Sequence, residues 1–252
     1  MQNPYLLTNK IALITGGAEG IGFGTARQFI NLGAKAIITG RTMATLQEAK
    51  KQLGDNCIIY QNDVTDKQSH LELVQFIEKE VGPLEILVNN AGKHHKKETI
   101  EVTDEEFQSV MDINLNSAFA LTRTALKSMI PRKHGSVIFI SSMAALYGLE
   151  KVIAYTSSKT ALLGMVRALA SEYSKSGVRF NAVAPGFIES KMLNQAMSND
   201  PERKMRVLNR TPAGRLGKPE EVGMAAAFLA SDAAAFITGT CLPVDGGNAV
   251  GF

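Results

Sequence analysis

The 252-residue chain predicts an α/β fold, a doubly wound parallel sheet of about seven strands with helices on both faces. Two observations carry that expectation. Short β-branched and aliphatic runs occur at 11–15, 36–39, 57–61, 86–89, 136–141, 179–184 and 241–244, and longer segments of helical period begin between them near Ile21, Thr42, Lys67, Asp104, Val152 and Glu220. Alternation of this kind implies repeated βαβ units, whose right-handed crossovers set strands in parallel and leave ligand sites at their carboxyl ends. Composition agrees: 45% hydrophobic and 20% charged residues describe an ordinary globular core, and with no Pro/Gly/Ser-rich linker one domain over 1–252 is expected.

The first strand runs directly into Thr15-Gly16-Gly17-Ala18-Glu19-Gly20-Ile21-Gly22 and then a helix. Glycine permits a tight turn and close approach of a pyrophosphate, while the helix N-terminus offers unpaired N–H groups and the positive end of a dipole, so the segment is built to cradle an anion. Its spacing differs from the G-x-G-x-x-G dinucleotide fingerprint. The second strand ends Thr39-Gly40-Arg41 and the third leads into Asn62-Asp63-Val64. The fourth ends in Asn89-Asn90-Ala91-Gly92, followed by the basic run Lys93, His94, His95, Lys96, Lys97. Asn114 falls in the helical segment 104–129, where by itself it is an ordinary polar residue.

Ser141 and Ser142 follow the apolar fifth strand, and position alone does not separate them. Tyr155 lies thirteen residues beyond Ser142, with Lys159 one helical turn later on the same face. An adjacent ammonium favours phenolate, so the pair predicts a tyrosine pKa lowered from about 10 toward the working range for acid–base chemistry. A packed tyrosine beside an exposed lysine is the alternative. Pro185-Gly186 ends the sixth strand, and 188–216 then breaks the rhythm, with Met192, Leu193, Met197, Met205 and Leu208 apolar among many charges. That stretch reads as a substrate lid, or as a surface helical excursion.

Four of these motifs, TGxxxGIG at 15–22, NNAG at 89–92, YxxxK at 155–159 and Pro185-Gly186, stand in the order found in the short-chain dehydrogenase/reductase family, classical type, which the chain resembles from about Lys10 to Gly247. The resemblance implies a Rossmann fold and an NAD(P)-dependent oxidoreductase that interconverts a carbonyl and a secondary alcohol by hydride transfer. It assigns Tyr155 as general acid/base, Ser142 to the substrate oxygen, Lys159 to the nicotinamide ribose and the tyrosine pKa, and Asn114 to a water that links the lysine to solvent. Cofactor contacts implied are Gly16, Gly20, Ile21, Gly22, Asp63 at the adenine, Asn90, Ala91, Gly92, Tyr155, Lys159, Pro185, Gly186 and the backbone of Ile188.

An arginine, not an acid, follows the second strand, so Arg41 argues for NADP(H) over NAD through the 2′-phosphate, against which Glu19 places a negative charge in the glycine turn. The segment 210–222 and the region around Tyr155 resemble the gluconate 5-dehydrogenase and deoxy-gluconate dehydrogenase branch, which implies a sugar-acid substrate whose carboxylate meets the basic run. Reductases acting on 3-oxoacyl-carrier-protein are the other reading, and a non-catalytic dinucleotide sensor a third. By resemblance the helix bearing Tyr155, with Ala161, Leu162, Met165, Val166, Leu169 and Ala170, and segment 104–129 pair across a two-fold axis, and the final strand with Val250-Gly251-Phe252 contributes to another contact, in a homotetramer.

A net charge of +3 without a basic stripe argues against nucleic acid, and no apolar run of membrane-spanning length or signal-peptide pattern occurs, so a cytoplasmic protein is expected. Cys57 and Cys241 both fall in strand-like runs and read as buried thiols. Adjacent His94 and His95 do not converge as ligands, and no metal is expected.

Overall fold

The computed structural model describes residues 3–198 and 200–251, with the side chains of Lys191, Met192, Ala196 and Arg203 outside that description. The strands are β1 (Ile11–Thr15), β2 (Lys35–Gly40), β3 (Cys57–Gln61), β4 (Leu84–Asn89), β5 (Gly135–Ile140), β6 (Val178–Pro185) and β7 (Cys241–Val244). They form one parallel sheet in the order β3-β2-β1-β4-β5-β6-β7, so the chain steps outward from β1 to β3, crosses back to β4 and continues the other way. The fold class read from the sequence is borne out. Register aligns the strand ends: Thr15 pairs with Thr39, Val88 with Ile14, Asn89 with Phe139, and Ile140 with Val183. Every loop leaving a carboxyl end therefore opens on one edge, on either side of the β1/β4 switch.

Alternation along each strand sorts the core onto two faces. Ala12, Ile14, Ala36, Ile38, Ile138 and Ile140 pack beneath α1 (Gly20–Asn31), α2 (Met43–Leu53) and, late in the chain, the helix Pro219–Ala230. Leu13, Ile37, Leu87, Val137, Phe139 and Phe180 face α3 (Ser69–Phe76) and the helices Ser117–Arg132 and Ile153–Tyr173. Phe29, Phe139 and Phe180 are fully buried, and truncation of any one to alanine would cost about 3–5 kcal/mol.

Three features position the site. The segment read as one helix over 104–129 is broken: α4 (Asp104–Met111) passes through a π turn, Asp112–Asn116, before α5 (Ser117–Arg132). After α6 (Ile153–Tyr173), the excursion at 188–216 holds α7 (Lys191–Ser198) and α8 (Pro201–Arg210), and its ends are tied by a bridge between Ile188 and Gly217. Last, α9 (Pro219–Ala230) meets α1 backbone to backbone: a Cβ on Gly24 would stand 2.6 Å from the Pro219 carbonyl carbon, and one on Gly223 2.7 Å from the Gly24 oxygen. That contact fixes α1, whose N-terminus faces the site. The sequence places Cys57 and Cys241 in strands, and both are free thiols; Cys57 is buried, whereas Cys241 on the edge strand is only partly covered.

Candidate active site

The glycine turn is held by the end of β4. Thr15 is buried, and its hydroxyl accepts from the Asn90 N–H at 3.0 Å and the Ala91 N–H at 2.9 Å. The Asn90 amide donates to the Thr15 and Gly16 carbonyls at 2.8 and 3.1 Å. Gly16 takes φ +63, which an L side chain resists, and a Cβ on Gly22 would stand 2.6 Å from the Asn90 amide nitrogen and overlap the Gly16 carbonyl. No side chain caps α1. The turn thus presents bare backbone and a helix end, and this fits a dinucleotide pyrophosphate.

Beyond it lies a cleft of about 860 Å³ lined by Arg41, Asp63, Thr65, Lys67, Ser109 and Ile113 among others. The Thr65 N–H and hydroxyl, and then Arg41, hold the Asp63 carboxyl below its usual range. Lys67 is a second cation there that sequence reasoning missed, because it read only as the first residue of a helix. Glu19 is exposed at the start of α1.

On the other side of the switch, β5 and α6 bring together Ser142, Tyr155 and Lys159. The two serines that looked alike have different partners. Ser141 turns into the wall and donates to the Lys159 carbonyl at 2.9 Å, while Ser142 accepts from the Ala144 N–H at 3.1 Å and its hydroxyl acts on the Tyr155 phenol, pulling the phenol pKa down. Lys159 is buried, its Nζ donating to the Ile140 carbonyl at 2.7 Å. Asn114 is 1% exposed in the π turn and is bound on three sides: its Oδ1 accepts from Lys93 N–H at 2.7 Å, and its amide donates to the Lys93 carbonyl and to Ser158 Oγ, both at 3.0 Å. Ser158, unnoticed in the sequence, donates onward to the Tyr155 carbonyl at 2.8 Å. A Cβ on Gly92 would lie 3.4 Å from both Asn114 Oδ1 and Lys159 Nζ, so the two polar atoms flank one small space.

The expected depression of the tyrosine pKa is not present in this structure. Burial pushes the Tyr155 phenol up, and the Ser142 hydroxyl opposes it only in part. The ammonium is directed at the Ile140 carbonyl and lies 5.7 Å from the Tyr155 ring centroid, so helical spacing alone overstated its grip on the hydroxyl. Burial in turn lowers Lys159 to about 8.

Pro185 and Gly186 close β6, where a Cβ on Gly186 would stand 2.7 Å from Asp245 Cα. The Ile188 side chain is in the core, and in the bridge the Phe187 carbonyl accepts from the Gly217 N–H while the Glu189 N–H donates to the Gly217 carbonyl, leaving the Ile188 peptide groups on the opposite edge. Much of the basic run is already engaged. Lys97 and His95 face Glu106 at 2.9 and 3.6 Å, and Lys93 Nζ donates to Ser109 at 3.0 Å. The His94 ring packs on the Tyr155 ring, centroids 4.9 Å apart. Among the described residues no group of His, Cys, Asp and Glu could hold a metal, and no helix is long and apolar enough to cross a membrane.

Residues 16–249 match a family model described as enoyl-(acyl carrier protein) reductase. Similar proteins include a 3-oxoacyl-(acyl-carrier-protein) reductase of Rickettsia conorii, 40% identical over 241 residues, covering 96% of this chain and 97% of that one. A 2-dehydro-3-deoxy-D-gluconate 5-dehydrogenase of Pseudoalteromonas atlantica is 37% identical over 251 residues, 98% of each. A solved structure from Beutenbergia cavernae, provisionally named an NAD(P)-dependent gluconate 5-dehydrogenase and holding NADP at low occupancy, superposes with a TM-score of 0.92 at 33% identity over 98% of this chain and 99% of that one.

Proposed function

Because the chain belongs to the short-chain dehydrogenase/reductase family, and so is an oxidoreductase of alcohol and keto groups that binds a nicotinamide cofactor, we propose that Ser142, Tyr155 and Lys159 carry its catalysis with Asn114 in support. The observation that carries this reading is the cluster at the carboxyl edge of the sheet: the Ser142 hydroxyl near enough to Tyr155 to oppose the rise of its phenol pKa, with Lys159 buried one turn away. The nicotinamide supplies or accepts the hydride. In reduction the substrate oxygen sits between the Ser142 and Tyr155 hydroxyls, where Ser142 stabilises its growing charge and Tyr155 delivers the proton. A raised pKa keeps the phenol protonated, which suits a donor, and the Lys159 ammonium stabilises the phenolate left behind. Asn114 and Lys159 hold a water beside Gly92 through which the proton is replaced.

Gly16, Gly20, Ile21 and Gly22 would hold the pyrophosphate and Asp63 the adenine. Asn90, Ala91, Gly92, Pro185 and Gly186 would line the rest of the cofactor path, with the Ile188 backbone meeting the carboxamide and Lys159 the ribose. NADP(H) is the preferred cofactor, supported by Arg41 and Lys67 in one cleft. Charge-assisted hydrogen bonds to the 2′-phosphate are worth roughly 1.5–3 kcal/mol, so Arg41→Ala should raise the KM for NADPH about ten- to a hundredfold more than that for NADH. Equal effects on both would remove Arg41 from that role.

The substrate is a sugar acid of the gluconate kind, as the names of several relatives suggest; 3-oxoacyl thioesters are the second reading, favoured by the Rickettsia relative's name. The excursion at 188–216, tied at both ends, acts as the lid over a single domain, and the enzyme works as a cytoplasmic homotetramer. The test is a panel of sugar acids and acyl thioesters with both cofactors, run beside Tyr155→Phe. That variant removes the transferable proton and keeps the ring, so kcat should fall about 10²–10⁴-fold with cofactor affinity nearly unchanged. Turnover by Tyr155→Phe at the wild-type rate would sink the mechanism.

A further inference from the structure

The proposed chemistry makes no use of His70, a fully buried histidine in the first turn of α3. Its Nε2 lies 3.0 Å from the Val64 carbonyl, and because a carbonyl can only accept, that nitrogen carries the proton and donates. The other ring nitrogen, Nδ1, is buried with no hydrogen-bond partner. A leucine would fill such a place without the cost of an unpaired polar atom, so what the imidazole contributes there is the bond to Val64.

That bond lies under the cofactor cleft. Val64 stands between Asp63 and Thr65, which both line it, and the Thr65 N–H and hydroxyl orient the Asp63 carboxylate at 2.9 and 2.8 Å. The two ends of the loop are tied separately: the Asn62 N–H donates to the Gly40 carbonyl at 3.0 Å, and Ser69 Oγ donates to the Asp66 carbonyl at 2.7 Å. His70 meets the middle. We infer that His70 is a positioning residue for the cofactor, which by holding the Val64 carbonyl fixes the loop so that the Asp63 carboxylate faces the adenine. This rests on Asp63 acting at the adenine. An N–H···O hydrogen bond spans about 2.7–3.2 Å, so a loop free to shift by about 1 Å no longer keeps the carboxylate on its partner. The loss falls on the adenosine half, which NADPH and NADH share, and spares the nicotinamide half.

The test measures dissociation constants of NADPH, NADH and reduced nicotinamide mononucleotide, which lacks the adenosine half, by dihydronicotinamide fluorescence in the wild type, His70→Leu, His70→Gln and Asp63→Ala. Leucine removes the donor; glutamine carries an amide N–H about as far from the backbone as Nε2. His70→Leu is expected to weaken NADPH and NADH by the same factor, about three- to tenfold, and to leave the mononucleotide unchanged, with most of the loss recovered in His70→Gln. If the leucine variant does not fold, His70→Asn replaces it with the same expectation, since its shorter amide ends near the place of Nδ1 and does not reach Val64. Unchanged NADPH affinity without the donor, an equal loss on the mononucleotide, or no recovery in His70→Gln overturns the inference. Wild-type NADPH affinity in Asp63→Ala removes the adenine assignment beneath it, whereas a loss in Asp63→Ala with none in His70→Leu removes the role of His70 alone.

Discussion

Lys159 carries the sharpest pH dependence at the level of single residues. Its ammonium is buried, and its pKa stands at about 8 against an unfolded value of about 10.4. The unfolded chain therefore binds the extra proton between those values, so folding stability rises with pH across that window, and below it the folded chain bears the full cost of a buried charge. Lys159→Met is expected to raise the unfolding free energy at pH 7 by on the order of 1–3 kcal/mol, with the advantage shrinking above pH 8, as read by urea titration at several pH values. Cofactor affinity should move the opposite way: it weakens in the wild type as pH rises past about 8, and the inflection is missing from the variant's fluorescence titrations. The spacing of Tyr155 and Lys159 made this pair legible in the sequence, as did the glycine turn. What stayed hidden were the partners: the Ile140 carbonyl that takes the ammonium, and the Lys159 carbonyl that occupies Ser141 and leaves Ser142 to the tyrosine. Those contacts join residues 18 or 19 apart through a strand-to-helix turn, which no local pattern encodes.

Among the elements, all seven strands were legible to within two residues at each end, because strands buried on both faces read as unbroken apolar runs. The π turn at Asp112–Asn116 was not. One extra residue in a helix changes the period too little to show over a window that also holds two helices, yet it turns Asn114 inward. The α1–α9 contact was also invisible, since a helical glycine looks like a mild defect until its neighbour is known. Gly223→Ala tests its value. The added methyl must displace the Gly24 backbone, so a loss of about 1–3 kcal/mol is expected in urea denaturation. On the proposed role of α1 at the pyrophosphate, cofactor affinity should fall with it. A change below about 0.5 kcal/mol would show that the helices part without cost.

For the whole molecule the expectation is assembly. Phe119 on α5 is 45% exposed with the Arg123 guanidinium 5.2 Å above its ring, Ile153 begins α6 at 39%, and Ala161, Met165 and Leu169 are only partly covered, so neither helix spends its apolar surface on the sheet alone. Light scattering at micromolar concentration should give a tetramer, and Phe119→Glu a smaller species; a wild-type monomer would contradict the reading. Val250 is exposed at 77%, while Phe252 lies outside the described residues. The tie between Thr15 and Asn90 also bears on how the chain acquires its shape. These residues are 75 positions apart, and β1 gains its second neighbour only when β4 arrives. As the chain is synthesised, β1 to β3 with their helices are complete first, but the glycine turn has no floor until Asn90 and Ala91 emerge and dock. A nascent chain stopped before residue 84 would have made every glycine of the turn and still not grip a dinucleotide.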